Sequence, residues 1–368
     1  MTNSHARTVG VEEELLIVDP VGGVPRAFAE AMLSAAPAMD TAGGQALEAE
    51  LQREQLETGT RPCASMADVA REVRRWRRDA SGRARQAGAE VAALATSPLP
   101  VDPSLTPKPR YRRMLEAFGL LAHEQLSCGC HVHVEVESDK EGVAVLDRMR
   151  PWLAPLLALS ANSPFWQGED TCYASYRSLV WSRWPSAGPT ELFGSPEGYR
   201  SMIRTMLDSA TLLDEGMVYF DARMSRKYPT VEIRIADVCL DADDTVLVAA
   251  LVRGLVETSA RAWRAGEAPD QVPTHLLRLA SWRAARSGLA GELVHPLSRR
   301  PAPAAVVLRA LADHVGPALK ESGDLDLVEH QLQRVLERGN GAHAQREAIR
   351  RGGSLRDVVA EAVARTLA

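Results

Sequence analysis

At 368 residues, with 45% hydrophobic and 25% charged side chains, the chain carries enough apolar material for a substantial core and has the composition of an ordinary globular protein. Its net charge of −5, without a basic run or tail, leaves no electrostatic footprint for nucleic acid. The longest apolar run, Trp152 to Ala161, is interrupted by Pro155 and falls short of the roughly 20 residues that a membrane span needs, so no membrane partner is expected.

The first residues, MTNSHART, are polar and read as neither signal peptide nor anchor. The five cysteines, Cys63, Cys128, Cys130, Cys172 and Cys239, are an odd number without a CxxC pair, which fits a reducing, cytoplasmic setting better than a disulfide framework.

Thr8 to Asp19, TVGVEEELLIVD, reads as a β-strand bearing three consecutive carboxylates. Alternation places Gly10, Glu12, Glu14, Leu16 and Val18 on one face and turns Glu13 to the other. Two carboxylates on one strand face stand about 7 Å apart, a span that divalent cations can bridge; an exposed strand end decorated with acid is the competing reading. A turn at Pro20 and Gly22-Gly23 leads into a short helical stretch at 27–36. Gln45 to Glu57, QALEAELQREQLE, has the composition of a helix, on which Glu50 and Glu57 would share a face; on a strand they would need a bulge.

Ser65 caps a predicted helix running to about Gly88, with Asp68 three residues after the cap. Its arginines, Arg71, Arg74, Arg75, Arg77 and Arg78, read as a solvated face. A strand over Glu90 to Thr96, a proline-rich loop and a helix over Arg110 to Glu124 follow.

Leu126 to Glu137, LSCGCHVHVEVE, is the second informative strand: His131, His133 and Glu135 share one face and Val132, Val134 and Val136 the other. Two histidines at alternate positions beside a carboxylate point to metal or phosphate chemistry, against the alternative of structural histidines. Cys128 and Cys130 lack the usual zinc-ligand spacing.

Helices are expected over Gly142 to Leu159 and Pro196 to Leu213, on either side of a long stretch, Phe165 to Phe193, rich in Trp, Tyr and Arg. A loop of that length and composition reads as a site cover or, alternatively, a packed cap. Val218 to Arg223 and Thr230 to Ala236 read as paired strands, and in the second Glu232 and Arg234 share one face. From Asp241 onward the pattern is almost wholly helical, over 244–265, 274–287, 303–321, 325–338 and 354–367. The whole reads as one α+β unit, 1–368, with strands and helices interleaved over 8–258 and a helical cover over 259–368.

Taken together, VGVEEELLIVDP, CGCHVHVEV, ANSPFWQGEDTCYASYRSLVWSRWPSAGP and VEIRIADVCLD resemble, in the same order, the glutamate–cysteine ligase type 2 family, the YbdK-like carboxylate–amine ligases. The resemblance covers Thr8 to about Thr258. It implies a curved antiparallel β-sheet of the glutamine synthetase-like catalytic kind, covered by helices, whose concave face holds ATP with Mg²⁺ or Mn²⁺. The family's GxExE motif falls on Gly10, Glu12 and Glu14, making both glutamates metal ligands. Its acidic strand falls on Glu50 and Glu57, so the resemblance favours strand where composition favours helix. It further places His131 in the metal or nucleotide shell with His133 beside it, and Glu232 as another metal ligand. Arg234 would lie against phosphate or the substrate carboxylate, with Arg177 as a second anion-binding arginine. Cys130, which departs from the family's usual residue, receives no role.

The chemistry so implied is ATP-dependent amide formation from a small carboxylate, the γ-carboxylate of L-glutamate foremost, and an amine, through an acyl phosphate. A cluster of Glu12, Glu14, Glu50, Glu57 and Glu232 agrees with it, since like charges 4 Å apart repel by about 4 kcal/mol at an effective dielectric near 20 unless cations intervene. Two other readings stay open here, a metal-dependent hydrolase suggested by His131-x-His133 and a binding protein that keeps the fold without turnover. The identity of the amine is left open, and the exposed helical third is compatible with a homodimer.

Overall fold

The structure is a computed structural model that describes residues 6–34 and 47–368. The polar start of the chain at 1–5, and the ends of two predicted segments at 35–36 and 45–46, lie outside the described residues.

Among the described residues seven strands make one sheet, and every pairing in it is antiparallel. They are β1 (Val9–Val18), β2 (Glu48–Ala49), β3 (Gln55–Gly59), β4 (Glu90–Ala92) and β5 (Gly129–Glu135); β6 (Phe165–Trp166) and β7 (Glu169–Asp170) form a separate hairpin, and β8 (Ala222–Met224) and β9 (Thr230–Asp237) complete the sheet. The order is β2-β3-β1-β5-β9-β8, with β4 pairing the end of β1 beyond β3. β1 is therefore central, which suits its apolar second half: Leu15, Leu16, Ile17 and Val18 are all buried.

Segment 47–57 is neither the helix its composition suggests nor one strand. It is a hairpin in which Glu48 pairs with Glu57 and Ala49 with Leu56, while β3 also pairs β1, Glu57 standing opposite Glu14. Helix propensity over so short a stretch amounts to tenths of a kcal/mol per residue, and two-sided pairing of β3 overrides it.

Fourteen α-helices surround this sheet among the described residues. α1 (Ala29–Ser34) and α2 (Met66–Gln86) precede α3 (Pro109–Phe118) and α4 (Leu120–His123), which Gly119 separates at φ 54°. α5 (Asp139–Met149), α6 (Leu153–Ser160), α7 (Tyr176–Trp181) and α8 (Pro196–Asp208) lead to α9 (Ala242–Arg264). The last third holds α10 (Thr274–Ser287), α11 (Ala304–Ser322), α12 (Leu325–Arg338), α13 (Gly341–Arg350) and α14 (Leu355–Thr366). Two features there escape the sequence pattern: α13, capped by the Asn340 side chain, and a small hairpin of β10 (Glu292–Val294) and β11 (Pro301–Pro303).

The cap expected at Ser65 forms, its hydroxyl accepting from the Asp68 amide. The solvated arginine face of α2 is only partly so. Arg71, Arg75 and Arg78 are exposed, but Arg77 is wholly buried and reaches Glu13 on the back of β1. A guanidinium can lie there because Glu13 supplies the counter-charge and backbone carbonyls take its remaining protons.

The main core lies behind the sheet, where Val9, Val11, Val132, Val134, Val231 and Ile233 meet α9 and its neighbours α5, α6 and α11. Alternation leaves Glu12, Glu14, His131, His133, Glu232 and Arg234 facing the opposite way, into a cleft. A smaller core including Met114, Trp184, Ile203 and Phe220 builds the wall of that cleft away from the sheet. Among the described residues, no helix is long and apolar enough to cross a membrane.

Candidate active site

Register brings the predicted residues together across three neighbouring strands. In the β1–β5 pairing Glu12 stands opposite His131 and Gly10 opposite His133, and in the β5–β9 pairing His133 stands opposite Glu232. The β5–β9 register shifts between Cys130 and Val132, where β9 contributes one extra residue beside His131. The resulting cleft has a volume of about 810 Å³, within the range of sites for small organic ligands.

Two trios of potential metal-ligand side chains adjoin on its floor, each with one ligand atom per residue lying within 4.8 Å of the others: Glu12, His131 and Glu232, and Glu14, Glu50 and Glu57. The hairpin turn between β2 and β3 carries Glu50 back toward Glu57, so no bulge is needed.

The trios differ electrostatically. Glu232 is held by a two-point ion pair with Arg223, 2.8 Å to Nε and 3.1 Å to Nη2, and by a contact with Arg234. Burial opposes its charge, but these guanidiniums hold it well below the usual carboxylate range. Glu12 lies 3.5 Å from His131 Nδ1 and 3.4 Å from His133 Nε2. Burial again works against its ionisation and the two imidazoles outweigh it. Burial and the positive charge of Arg234 push His131 down to about 4, leaving a neutral ring whose buried Nε2 has no hydrogen-bond partner. The Nδ1 of His133 is 3.0 Å from the Thr230 hydroxyl.

By contrast Glu14, Glu50 and Glu57 form no ion pair with any described residue. Burial and the charge of Glu50 raise Glu14 to about 7, against the Gly129 amide that it accepts at 2.5 Å and the positive charges of Arg177 and Arg234. Burial raises Glu50 as well, and burial together with Glu50, Glu12, Glu14 and Glu48 raises Glu57 well above the ordinary range. This trio is an accumulation of negative charge that a cation would relieve.

Arg234 points into the cleft, buried, with its Nε unpartnered and its guanidinium 5.6 Å from the Trp181 ring centre. Arg177 does not line the cleft. Its guanidinium is 5.7 Å from the same ring centre, its Nη2 donates to the Arg234 carbonyl at 3.4 Å, and its Nη1 is 3.7 Å from the buried Asp237. The aromatic stretch is divided likewise: Trp181 and Trp184 line the cleft, whereas Trp166, Tyr173 and Tyr176 cluster with one another elsewhere. Glu135 sits at the exposed end of β5 and accepts from Thr8. Cys130 is buried on the helical side, where burial raises its thiol and keeps it protonated, and among the described residues no potential metal group contains a cysteine.

Sequence reading missed Arg223 as a partner of Glu232. It also missed the outer wall, where Arg110 and Asp214 pair at 2.7 Å beside Tyr111 and Tyr219. Only the strand position of Arg223, level with Glu232 in the β8–β9 pairing, offered a signal, and that needs the register.

Comparison with known proteins agrees with this geometry. The profile of glutamate-cysteine ligase family 2 (GCS2) matches residues 8–364, extending through the helical last third. A Streptomyces avermitilis protein named "Putative glutamate--cysteine ligase 2-1" is 58% identical over 98% of this chain and 99% of its own length. A Streptomyces coelicolor protein named "Putative glutamate--cysteine ligase 2" is 57% identical over 98% and 99%. Among solved structures, the glutamate–cysteine ligase of Francisella tularensis in complex with AMP superposes with a TM-score of 0.72 at 13% identity, over 98% of this chain and 89% of that one. A bifunctional glutathione synthetase from Pasteurella multocida gives 0.66 at 16% identity, over 98% of this chain and 52% of that one. At such identities the structural likeness speaks for the fold.

Proposed function

The chain belongs to glutamate-cysteine ligase family 2, whose members are carboxylate–amine ligases, and we propose that it joins the γ-carboxylate of L-glutamate to an amine at the expense of ATP. The observation that carries this reading is the unpaired trio Glu14, Glu50 and Glu57 beside Glu12, His131 and Glu232, six groups from adjoining strands and the turn after β2, with Arg234 beside them on the same face. An almost all-oxygen donor set with one imidazole suits Mg²⁺ or Mn²⁺ better than zinc. The unpartnered Nε2 of His131 and the unrelieved charge of the Glu14 trio both fit such ions. Bound there, they would supply positive charge to offset that of nucleotide phosphates. The AMP held by the Francisella relative is consistent with a nucleotide in this cleft.

The chemistry runs in two displacements. A carboxylate oxygen of glutamate attacks the γ-phosphorus of ATP, releasing ADP and giving an acyl phosphate. The nitrogen lone pair of the amine then attacks the acyl carbon; phosphate departs with the bonding pair and takes up the proton the nitrogen loses. The protein's own part is positional and electrostatic. Arg234 offers an unpartnered N–H to the transferring phosphoryl group or the substrate carboxylate, and its setting against Trp181 and Glu232 fixes its plane. Arg223 holds Glu232 in place. Trp181, Trp184, Tyr111 and Tyr219 line the walls and exclude water from the acyl phosphate. No side-chain nucleophile is required.

The test is Mg²⁺-dependent ADP release with L-glutamate across a panel of amines, in the parent and in Glu12→Gln. Release that needs glutamate and one amine, and is lost in the variant, supports the ligase. Release indifferent to every carboxylate and amine, or unchanged in the variant, overturns it.

A further inference from the structure

Arg177, in the first turn of α7, stays out of the cleft yet touches the backbone that builds it. In the β5–β9 pairing Cys130 meets Ala236 and Val132 meets Ile233, so Arg234 and Ile235 together stand beside His131, two residues against one. The carbonyls of those two residues are the ones that Arg177 reaches, Nη2 at 3.4 Å from Arg234 and Nη1 at 3.5 Å from Ile235. On the β5 side the same guanidinium lies against Gly129. A Cβ there would stand 2.9 Å from the Arg177 Cζ and clash with Nη2, so a glycine is what leaves room for it. Gly129 in turn gives its amide to Glu14.

The guanidinium is itself held in place. It is buried, and its counter-charge, Asp237, is wholly so. Asp237 accepts from the Asn162 amide at 2.9 Å, the Ser163 hydroxyl at 2.7 Å and the Ser175 hydroxyl at 2.9 Å. The Ser163 hydroxyl also accepts from the Arg177 amide at 3.0 Å, and Ser163 and Ser175 bridge in parallel, which closes the segment between them at its neck. A buried carboxylate with three donors and a guanidinium has little freedom to turn. None of these groups lines the cleft, so the charge on Arg177 meets backbone carbonyls and Asp237 where a substrate-binding arginine would meet the ligand.

We propose that Arg177 is a positioning residue, which clasps the two-residue bulge of β9 from outside the cleft and thereby keeps the Arg234 side chain on the cleft face. A bulge free to shift by one residue would exchange the faces of Arg234 and Ile235. This role replaces the anion-binding one that the family resemblance implies for Arg177. That Arg234 serves a ligation rests on the ligase reading; that Arg177 sets its direction does not.

Two variants of the whole protein test the clasp. Arg177→Lys keeps the charge but cannot span both carbonyls. Arg177→Met combined with Asp237→Asn removes both charges, so no buried carboxylate is left unpaired if the first variant folds poorly. Crystal structures without nucleotide or metal are expected to show, in at least one of them, Arg234 turned out of the cleft or the bulge moved along β9. Arg234 and the bulge in place in both variants overturn the proposal, whatever the activity.

In turnover, Arg177→Lys is expected to lower the kcat of ADP release by roughly tenfold or more, with the KM for ATP and for L-glutamate within about twofold of the parent. Added to Arg234→Lys, it is expected to cost less than about twofold further, because the two act as one unit. A rise of roughly tenfold in either KM at unchanged kcat would make Arg177 a substrate-binding residue, and losses that multiply in the double variant would place its action elsewhere than Arg234. Either result overturns the proposal. In a protein without ligase turnover the crystal structures decide alone, and a displaced Arg234 there supports the clasp with the ligase reading gone.

Discussion

Glu13 and Arg77 form a two-point buried ion pair, 2.8 Å and 2.6 Å, on the face of β1 opposite Glu12 and Glu14. Arg77 also donates to the carbonyls of Cys239 and Leu240 just past β9, and the Thr245 hydroxyl of α9 donates to Glu13. One guanidinium thus ties α2, the middle of β1 and the exit of β9, the two strands that carry Glu12, Glu14 and Glu232. Removing one partner leaves a buried charge, which typically destabilises by about 3–5 kcal/mol. Arg77→Met is expected to show a loss of that size in urea unfolding, and adding Glu13→Gln is expected to recover part of it. A loss below about 1 kcal/mol in the single variant would mean the pair is dispensable.

Glu57 provides the pH test. Its folded-state pKa lies above the ordinary value, so the folded protein holds protons that the unfolded chain has released. The corresponding stability is present below the unfolded pKa near 4.5 and is lost as pH rises toward and through the folded value. Glu57→Gln removes that loss. In EDTA the variant and the parent should be equally stable near pH 4.5, and the variant should gain an advantage that grows through pH 7. An advantage that shrinks with rising pH would contradict the electrostatic account of the cleft.

Divalent cations should reverse the comparison. In Mg²⁺ at neutral pH the parent is expected to gain thermal stability and Glu57→Gln to gain little, since binding to the folded state alone stabilises it by mass action. Equal gains in both proteins would remove Glu57 from the ligand set.

Arg223 acts on the site through Glu232. Its loss leaves Glu232 with Arg234 as its only guanidinium partner, and outer partners of ligands typically govern about 10–100-fold in metal affinity. Arg223→Met is therefore expected to shift the Mg²⁺ midpoint of thermal protection upward by about that factor, while protection still saturates. An unmoved midpoint would show that Glu232 keeps its place without it.

Arg234→Lys tests the guanidinium as a fork rather than as a charge. Lysine keeps the charge but not the planar stacking on Trp181, and a loss on the order of 100-fold in kcat of ADP release, with far-ultraviolet circular dichroism unchanged, is the expected result.

Alternation along single strands determined much of this protein without a structure. A period of two is a local property of extended backbone, so Glu12 and Glu14 could be parted from Glu13, His131 and His133 from the valines between them, and Glu232 and Arg234 from Val231 and Ile233, by residue number alone. Those same stretches carried most of the family resemblance, which in turn implied the antiparallel sheet, and the helical last third was legible from the pattern after Asp241. The tertiary structure decided what local periodicity cannot hold. Composition favoured a helix for 47–57, and pairing with β1 made it a hairpin that returns Glu50 to Glu57. Arg77 looked like its solvated neighbours until a partner 64 residues away gave it a buried counter-charge. Arg223 became part of the site only through the β8–β9 register, and Arg177 parted from Arg234 when it turned to Asp237 and to the carbonyls of β9 instead of into the cleft. In each case the deciding interaction joins residues that no local rule couples, and its energy exists only once the sheet has closed.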